Sequence, residues 1–181
     1  MSQPLPFPPW LRALDRATQW FGHALSWLMF AMLLIEFAVV VLRYAVGINS
    51  TLMQEMVMYM HATLFMLAAA YTLQADAHVR VDIVYRKLSF RRQALINLLG
   101  IVTLLMPLML FIIASSAGYV GKSWRILESS ANYGGIPGVF LLKTLIPAFA
   151  VLMLIQGSIE VARNLYIVAG RRGDLEEPSD A

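Results

Sequence analysis

Four long apolar runs constrain the fold of this chain more than any other feature of its sequence. They cover about residues 24–46, 53–74, 94–120 and 139–168. A transmembrane helix needs about 20 consecutive apolar residues to cross the hydrocarbon core of a bilayer. Backbone amides in lipid must be bonded within the segment, and these runs lack the alternation of barrel strands, so we predict four transmembrane helices.

The composition of the 181 residues supports this assignment. Hydrophobic residues make up 59% of the chain and charged residues 14%, whereas soluble domains average about 45–50% and about 25%. This excess of apolar residues excludes both a water-soluble fold of this size and a disordered chain. The absence of cysteine excludes a disulfide scaffold, a thiolate metal site and a cysteine nucleophile. The predicted fold class is an all-α integral membrane protein.

The positions of lysine and arginine predict the orientation, because cytoplasmic loops carry an excess of both. Ten of these residues fall on one side of the predicted spans, in the N-terminal segment, in the connection 76–93 and at the C-terminal end. The other side has Lys122 and Arg125 in its loops. Both termini should therefore be cytoplasmic. The first run is longer than the core of a signal peptide, which has about 7–15 residues, so we interpret it as a retained span.

The predicted membrane domain comprises residues 24–168. Two amphipathic stretches are predicted at its cytoplasmic face. Residues 1–23 combine several prolines with apolar residues at helical spacing, namely Trp10, Leu11, Leu14, Ala17 and Phe21. This pattern predicts a short interfacial helix, with an extension of the first span as the alternative. An arm at about 79–90 is predicted to be a second interfacial helix, or else a plain loop. Residues 169–181 are predicted to be a polar tail.

The predicted arm has one apolar and one charged face. Asp82, Arg86 and Lys87 share the charged face, and Asp82 and Arg86 have the i,i+4 spacing of a favourable helical pair. The basic residues would face anionic headgroups, so membrane lipids are a predicted partner. A nucleic-acid partner is not predicted.

Ionisable residues within a span are functional candidates, because lipid is a costly environment for a charge. Arg43, Glu55 and Lys143 share the outer leaflet when the four runs are arranged as antiparallel helices. We predict an Arg43–Glu55 ion pair that fixes the first two spans together. A transport role for Glu55 is the alternative.

Glu36 is a fourth candidate, and it lies near the midplane of the first span. It is about 18 Å from the cytoplasmic end of that span, at about 1.5 Å per residue. No basic residue of this chain shares its depth. Two interpretations remain open: a partner protein supplies a polar contact, or a neutral Glu36 bonds a neighbouring helix.

The residue patterns of common enzymes and redox carriers are missing. The histidines, His23, His61 and His78, fall at three different depths, so no pair matches the axial ligands of a haem. No Walker, GxSxG, HExxH or EF-hand motif is present. We therefore predict that the protein is not an enzyme and has no cofactor.

Several short motifs resemble the DctQ-type small membrane subunit of tripartite ATP-independent periplasmic (TRAP) transporters. They are Arg43-Tyr44, Glu55 with Tyr59, His78-Val79-Arg80-Val81-Asp82, and Gly134-Gly135-Ile136-Pro137 followed by Lys143 and Ile146-Pro147. The segment 78–82 is the most specific, since it matches the family's H-x-x-V-D pattern. The resemblance covers roughly residues 24–165. One departure is the segment 52–55, Leu-Met-Gln-Glu, where the family often has Trp-x-Glu-Glu; it leaves Glu55 as the matching acid.

The resemblance implies a three-part transporter of the bacterial inner membrane. A periplasmic substrate-binding protein would capture an organic acid, and a large membrane subunit would carry the substrate and sodium sites and move as an elevator. This chain would form a rigid wall beside the large subunit. Its loop 121–138 would face the periplasm, with Lys122, Arg125 and Glu128 as candidate contacts for the binding protein. A stand-alone oligomeric transporter or channel is the alternative.

Overall fold

A computed structural model describes residues 9–75 and 88–169, and in these ranges it consists of helices and loops without β-strands. Helix α1 comprises Pro9–Val41 and continues as a π-helical turn at Leu42–Val46. Helix α2 comprises Thr51–Gln74. Helix α3 begins as Phe90–Gly100, widens into a π-helix at Ile101–Leu105 and continues as Met106–Arg125. Helix α4 comprises Val139–Val168.

All four helices are long and apolar enough to cross a membrane. The predicted all-α membrane fold with four spans is therefore confirmed. The physical reason is the one that the sequence supplies, since each apolar run can satisfy its backbone hydrogen bonds only within its own helix.

The N-terminal stretch differs from the interfacial helix that we predicted. Residues 10–21 form the first turns of a continuous α1, so the structure has the alternative, an extension of the first span. In this stretch α1 also reaches α4, where the Thr18 hydroxyl donates a hydrogen bond to Oε1 of Gln156 at 3.3 Å. Residues 76–87, which include most of the predicted arm, lie outside the described residues.

The connection between α1 and α2 is specified by its own residues. Gly47 has a φ of +77°, a left-handed conformation that favours glycine, and its N–H bonds the carbonyl of Leu42. Ser50 then caps α2, because its hydroxyl accepts a hydrogen bond from the backbone N–H of Met53 at 3.4 Å. These caps end one helix and begin the next, so the two helices form a tight antiparallel pair.

The helices pack in a row in the order α1, α2, α4, α3. Within the described residues the extensive contacts join α1 to α2, α2 to α4, and α4 to α3. The buried centre is small and lies around α4, where Ala150 and Met153 pack against Ala70 of α2 and Met109 of α3. Helices α1 and α3 therefore lie at the two ends of this helix row.

Glycines allow two of these neighbouring pairs to approach closely. A Cβ atom added to Gly22 of α1 would lie 2.5 Å from the ring of Tyr71 of α2. One added to Gly157 of α4 would lie 2.9 Å from a methyl group of Leu105 in α3. Small residues commonly mark such contacts between membrane helices, where close backbone approach increases van der Waals attraction.

The predicted orientation can be tested by single-cysteine labelling, because the chain has no cysteine of its own. Tyr133 is fully exposed in the loop before α4, and Ser89 is exposed at the start of α3. We expect Tyr133→Cys to react with a membrane-impermeant maleimide in spheroplasts. Ser89→Cys should react only after the membrane is permeabilised, since the excess of basic residues predicts that this end is cytoplasmic. The reverse labelling pattern would contradict the orientation.

Candidate functional site

Three hydrogen-bond donors from one loop converge on the carboxylate of Glu55, near the start of α2. The Ser130 hydroxyl donates a short hydrogen bond to Oε1, and Asn132 Nδ2 donates to the same oxygen at 3.0 Å. The backbone N–H of Ile136 donates to Oε2 at 2.6 Å. Glu55 is 7% exposed. Hydrogen bonds to an ionised carboxylate are about twice as strong as neutral ones, so Glu55 fastens residues 129–138, the clamped loop, to α2.

The clamped loop has a defined backbone conformation. The N–H of Gly135 bonds the carbonyl of Asn132 at 3.1 Å, and Gly134 has a φ of +73°. A positive φ at the third residue of a four-residue turn is typical of a type II turn, which favours glycine there. The N–H of Ser130 bonds the carbonyl of Ile136 at 3.2 Å and closes the loop. Tyr133 occupies the exposed tip.

Gly135 leaves the space that the carboxylate occupies. A Cβ atom at this position would lie 2.5 Å from the Ser130 hydroxyl oxygen and 2.6 and 2.7 Å from the two oxygens of Glu55. Real Cβ atoms essentially never lie so close to another heavy atom. A side chain at position 135 would therefore have to displace the Glu55 carboxylate and the Ser130 hydroxyl from their hydrogen bonds.

A second group of contacts joins the end of α3 to the start of α4. Lys143 Nζ donates to Oε2 of Glu128 at 2.5 Å and lies 4.1 Å from the centre of the Tyr119 ring. The hydrogen bond from Lys143 lowers the pKa of Glu128 below its ordinary value. The Trp124 indole N–H donates to the Thr144 hydroxyl at 2.8 Å. Together with the Glu55 contacts, these bonds join the start of α2, the end of α3 and the start of α4.

The predicted Arg43–Glu55 ion pair is wrong. Arg43 lies in the π-helical turn after α1, where its guanidinium donates to Oδ1 of Asn49 at 3.3 Å, and Gln54 donates to the same oxygen at 2.7 Å. Glu55 instead faces the clamped loop, where three nearby donors satisfy it. Sequence position predicts the depth of both residues in the membrane, but it does not give the direction in which each side chain points.

Other predicted residues have different surroundings. Lys143 and Glu128 pair with each other, whereas Lys122 and Arg125 are exposed in the last turns of α3. Glu36 is exposed on α1 and makes no hydrogen bond within residues 9–75 and 88–169. It therefore does not bond a neighbouring helix in the described part of the chain.

The remaining candidates from the sequence lie outside the described residues. These are His78, Asp82, Arg86 and Lys87, all within the segment 76–87. Their predicted role in an interfacial arm stays a prediction.

A second polar network lies farther along α4, toward the helix ends opposite the clamped loop. Gln156 of α4 is 1% exposed; it accepts from Thr18 of α1 and donates to Oε1 of Glu160 at 3.4 Å. Arg163 donates to the same oxygen of Glu160 at 2.8 Å. Because buried polar groups need partners, this network specifies how α1 meets α4.

The sequence analysis missed the donors that hold Glu55. The segment Asn132-Tyr133-Gly134-Gly135 carried a turn signal, but nothing in it indicated that Ser130, Asn132 and Ile136 would bond an acid 75 to 81 residues earlier. Within residues 9–75 and 88–169, no three His, Asp or Glu side chains form a group able to hold a metal ion.

Comparison with known proteins identifies a family over most of the chain. The model of the family described as "Tripartite ATP-independent periplasmic transporters, DctQ component" matches residues 32–166. This range includes Glu36, Glu55, the clamped loop and the Glu128–Lys143 pair. We found no match among curated proteins.

Gly135→Ala should destabilise the protein by about 1–3 kcal/mol, because the added methyl group must displace the Glu55 carboxylate or the loop. The measurement is the thermal unfolding of the purified protein in mild detergent. Gly118→Ala is the matched control, since a Cβ atom there meets nothing within 4 Å and alanine favours the helix. Equal unfolding temperatures for wild type and Gly135→Ala would contradict the geometry of the clamp.

The Glu128–Lys143 pair should make stability depend on pH. The folded-state pKa of Glu128 is below its ordinary value of 4.5, so the pair's contribution is fully present above about pH 4.5 and is lost as pH falls through the folded-state pKa. We expect the stability difference between wild type and Glu128→Gln, measured by denaturation in detergent, to shrink as the pH falls below about 4.5. A difference that stays constant from neutral pH to pH 3 would contradict this.

Proposed function

The chain belongs to the DctQ family, the small membrane subunits of TRAP transporters, and we propose that it is a static scaffold for the large membrane subunit of such a transporter. The complex would take up an organic acid that a periplasmic binding protein delivers, driven by a sodium gradient that acts through the large subunit. It would operate in the bacterial inner membrane. As a DctQ component with four helices able to span a membrane, the chain itself is a multi-pass membrane protein that works with other TRAP components.

The helix row supports the scaffold role. A row of four helices has two broad apolar faces and two end helices, and few of its large side chains are buried. Exposed apolar side chains in lipid cost nothing by themselves, but a row offers a partner more surface than a closed bundle of the same helices would. A static subunit that packs beside a moving one needs such a broad contact surface.

The bonds around the clamped loop and the Glu128–Lys143 pair carry the proposal. Glu55 holds the clamped loop to α2, and the Glu128–Lys143 pair holds the end of α3 to α4. Loops that are bonded at several points lose little further entropy when they bind a partner. We propose that Lys122, Arg125 and Tyr133, which are exposed beside these contacts, form the surface that meets the periplasmic binding protein.

The first test is purification of the tagged chain from its native membrane in mild detergent, with mass spectrometry of the associated proteins. We expect a large multi-span membrane protein in stoichiometric amount. Recovery of the chain alone, or only with copies of itself, would overturn the proposal and favour a stand-alone oligomeric transporter or channel.

Glu55→Ala should reduce both the recovered complex and substrate uptake severalfold, because it leaves the three loop donors without their acceptor. The choice of substrate should not change, since a scaffold does not hold the substrate. Met58→Ala, on an exposed part of the same helix, is the matched control and should behave as wild type. An altered order of preference among competing organic acids in Glu55→Ala would contradict the scaffold role.

A further inference from the structure

One exposed surface of α1 combines apolar side chains with an ionisable group. Met29, Leu33, Glu36 and Val40 follow one another at spacings of three or four residues, so they share one side of the helix. All four are exposed. We call this surface the outer face of α1. It lies on a helix at the end of the row, away from the buried centre around α4.

Glu36 sits deep within the membrane-spanning part of this face. Ten residues separate it from Val46, where the π-helical turn ends, which corresponds to about 15 Å along the helix. The hydrocarbon core is about 30 Å thick, so Glu36 lies near its centre. Ionisable residues at this depth are rarely left facing lipid and normally pair with another polar group.

The described part of this chain, residues 9–75 and 88–169, supplies no such group. Glu36 makes no hydrogen bond or ion pair within residues 9–75 and 88–169, and no basic residue of α1 lies nearer than Arg43, two turns away. The contrast with Glu55 is informative, because that acid has three donors from its own chain. Glu36 therefore needs a donor from another molecule.

The helix at the other end of the row lacks this feature. Residues 94–120 of α3 include no ionisable side chain apart from Tyr119 near the outer end. Its large exposed side chains at depth include Leu104, Leu108, Leu110 and Phe111. The exposed hydroxyls of Thr103 and Ser115 donate to carbonyls of their own helix. Such a surface can face hydrocarbon without cost. The two ends of the row thus differ in chemistry, and only one of them requires a polar neighbour.

We propose that the outer face of α1 is the surface that binds the large membrane subunit, through a transmembrane helix that presents a cationic or amide donor opposite Glu36. The inference rests on the proposed function, which supplies the partner, and adds the face and the residue that recognise it. Apolar packing around Leu33 and Val40 would exclude lipid from the contact, and the hydrogen bond to Glu36 would select the register of the partner helix.

Site-specific photo-crosslinking in the assembled complex tests this surface. A photoreactive amino acid replaces Leu33 in one variant and Phe111 in a matched control. Leu33 is 63% exposed and Phe111 67%, and they lie 13 and 14 residues before Val46 and Arg125, the outer ends of their helices. We expect the large subunit to crosslink at least fivefold more at position 33 than at position 111.

The outcomes separate this inference from the proposed function. If the large subunit is recovered but crosslinks equally from both positions, or only from position 111, the inference is overturned and the scaffold role stands. A crosslink from position 33 to a second copy of this chain also overturns it. If no large subunit is recovered from wild type, both fall together.

A second variant tests the role of Glu36 itself. Glu36→Leu removes an ionisable group from an apolar face, so the variant should insert and accumulate as wild type does. We expect it to lower the yield of recovered large subunit at least threefold, because the partner's donor is left unpaired, while Glu36→Gln, which keeps an acceptor, should retain most of the yield. An unchanged yield with Glu36→Leu would overturn the polar contact.

Discussion

The hydrogen bonds from the clamped loop to Glu55 are the interaction on which the connection between α2 and the start of α4 depends. This acid at the start of α2 takes its donors from the loop that joins α3 to α4. The carboxylate draws Ser130, Asn132 and the Ile136 N–H together, and Gly135 leaves room for it. One ionised side chain thereby sets the shape of the loop and ties α2 to the start of α4.

The second organising feature is the arrangement of the helices as a row. Each interior helix has two neighbours, and α4 contributes two of the four residues of the buried centre, while α2 and α3 contribute one each. In lipid this costs little, because hydrocarbon solvates exposed leucine as well as a protein core does. The arrangement is stable in the membrane and still offers large surfaces to other subunits of the transporter.

Two acids of the same chain show how the surroundings of a residue decide its role. Glu55 has all its partners within the chain and acts on the chain's own fold. Glu36 has none in the described residues, and at its predicted depth near the bilayer centre no water is available instead. Both were visible in the sequence as charges inside apolar runs, but the tertiary structure distinguishes them, because only it relates each acid to donors that are distant in sequence.

The sequence by itself determined the four membrane helices and, through its motifs, the family, because hydrogen-bonding in lipid leaves an apolar run of this length few alternatives. It also indicated the turn at residues 132–138, since glycine permits the left-handed backbone found at Gly134. Only the tertiary structure decided the order of the helices in the row, the continuity of α1 through Thr18 and the partner of Glu55. Those features depend on the direction of side chains around each helix axis and on contacts between residues up to 138 positions apart. Depth along a helix follows from counting residues, whereas the side that a residue faces depends on how all four helices pack.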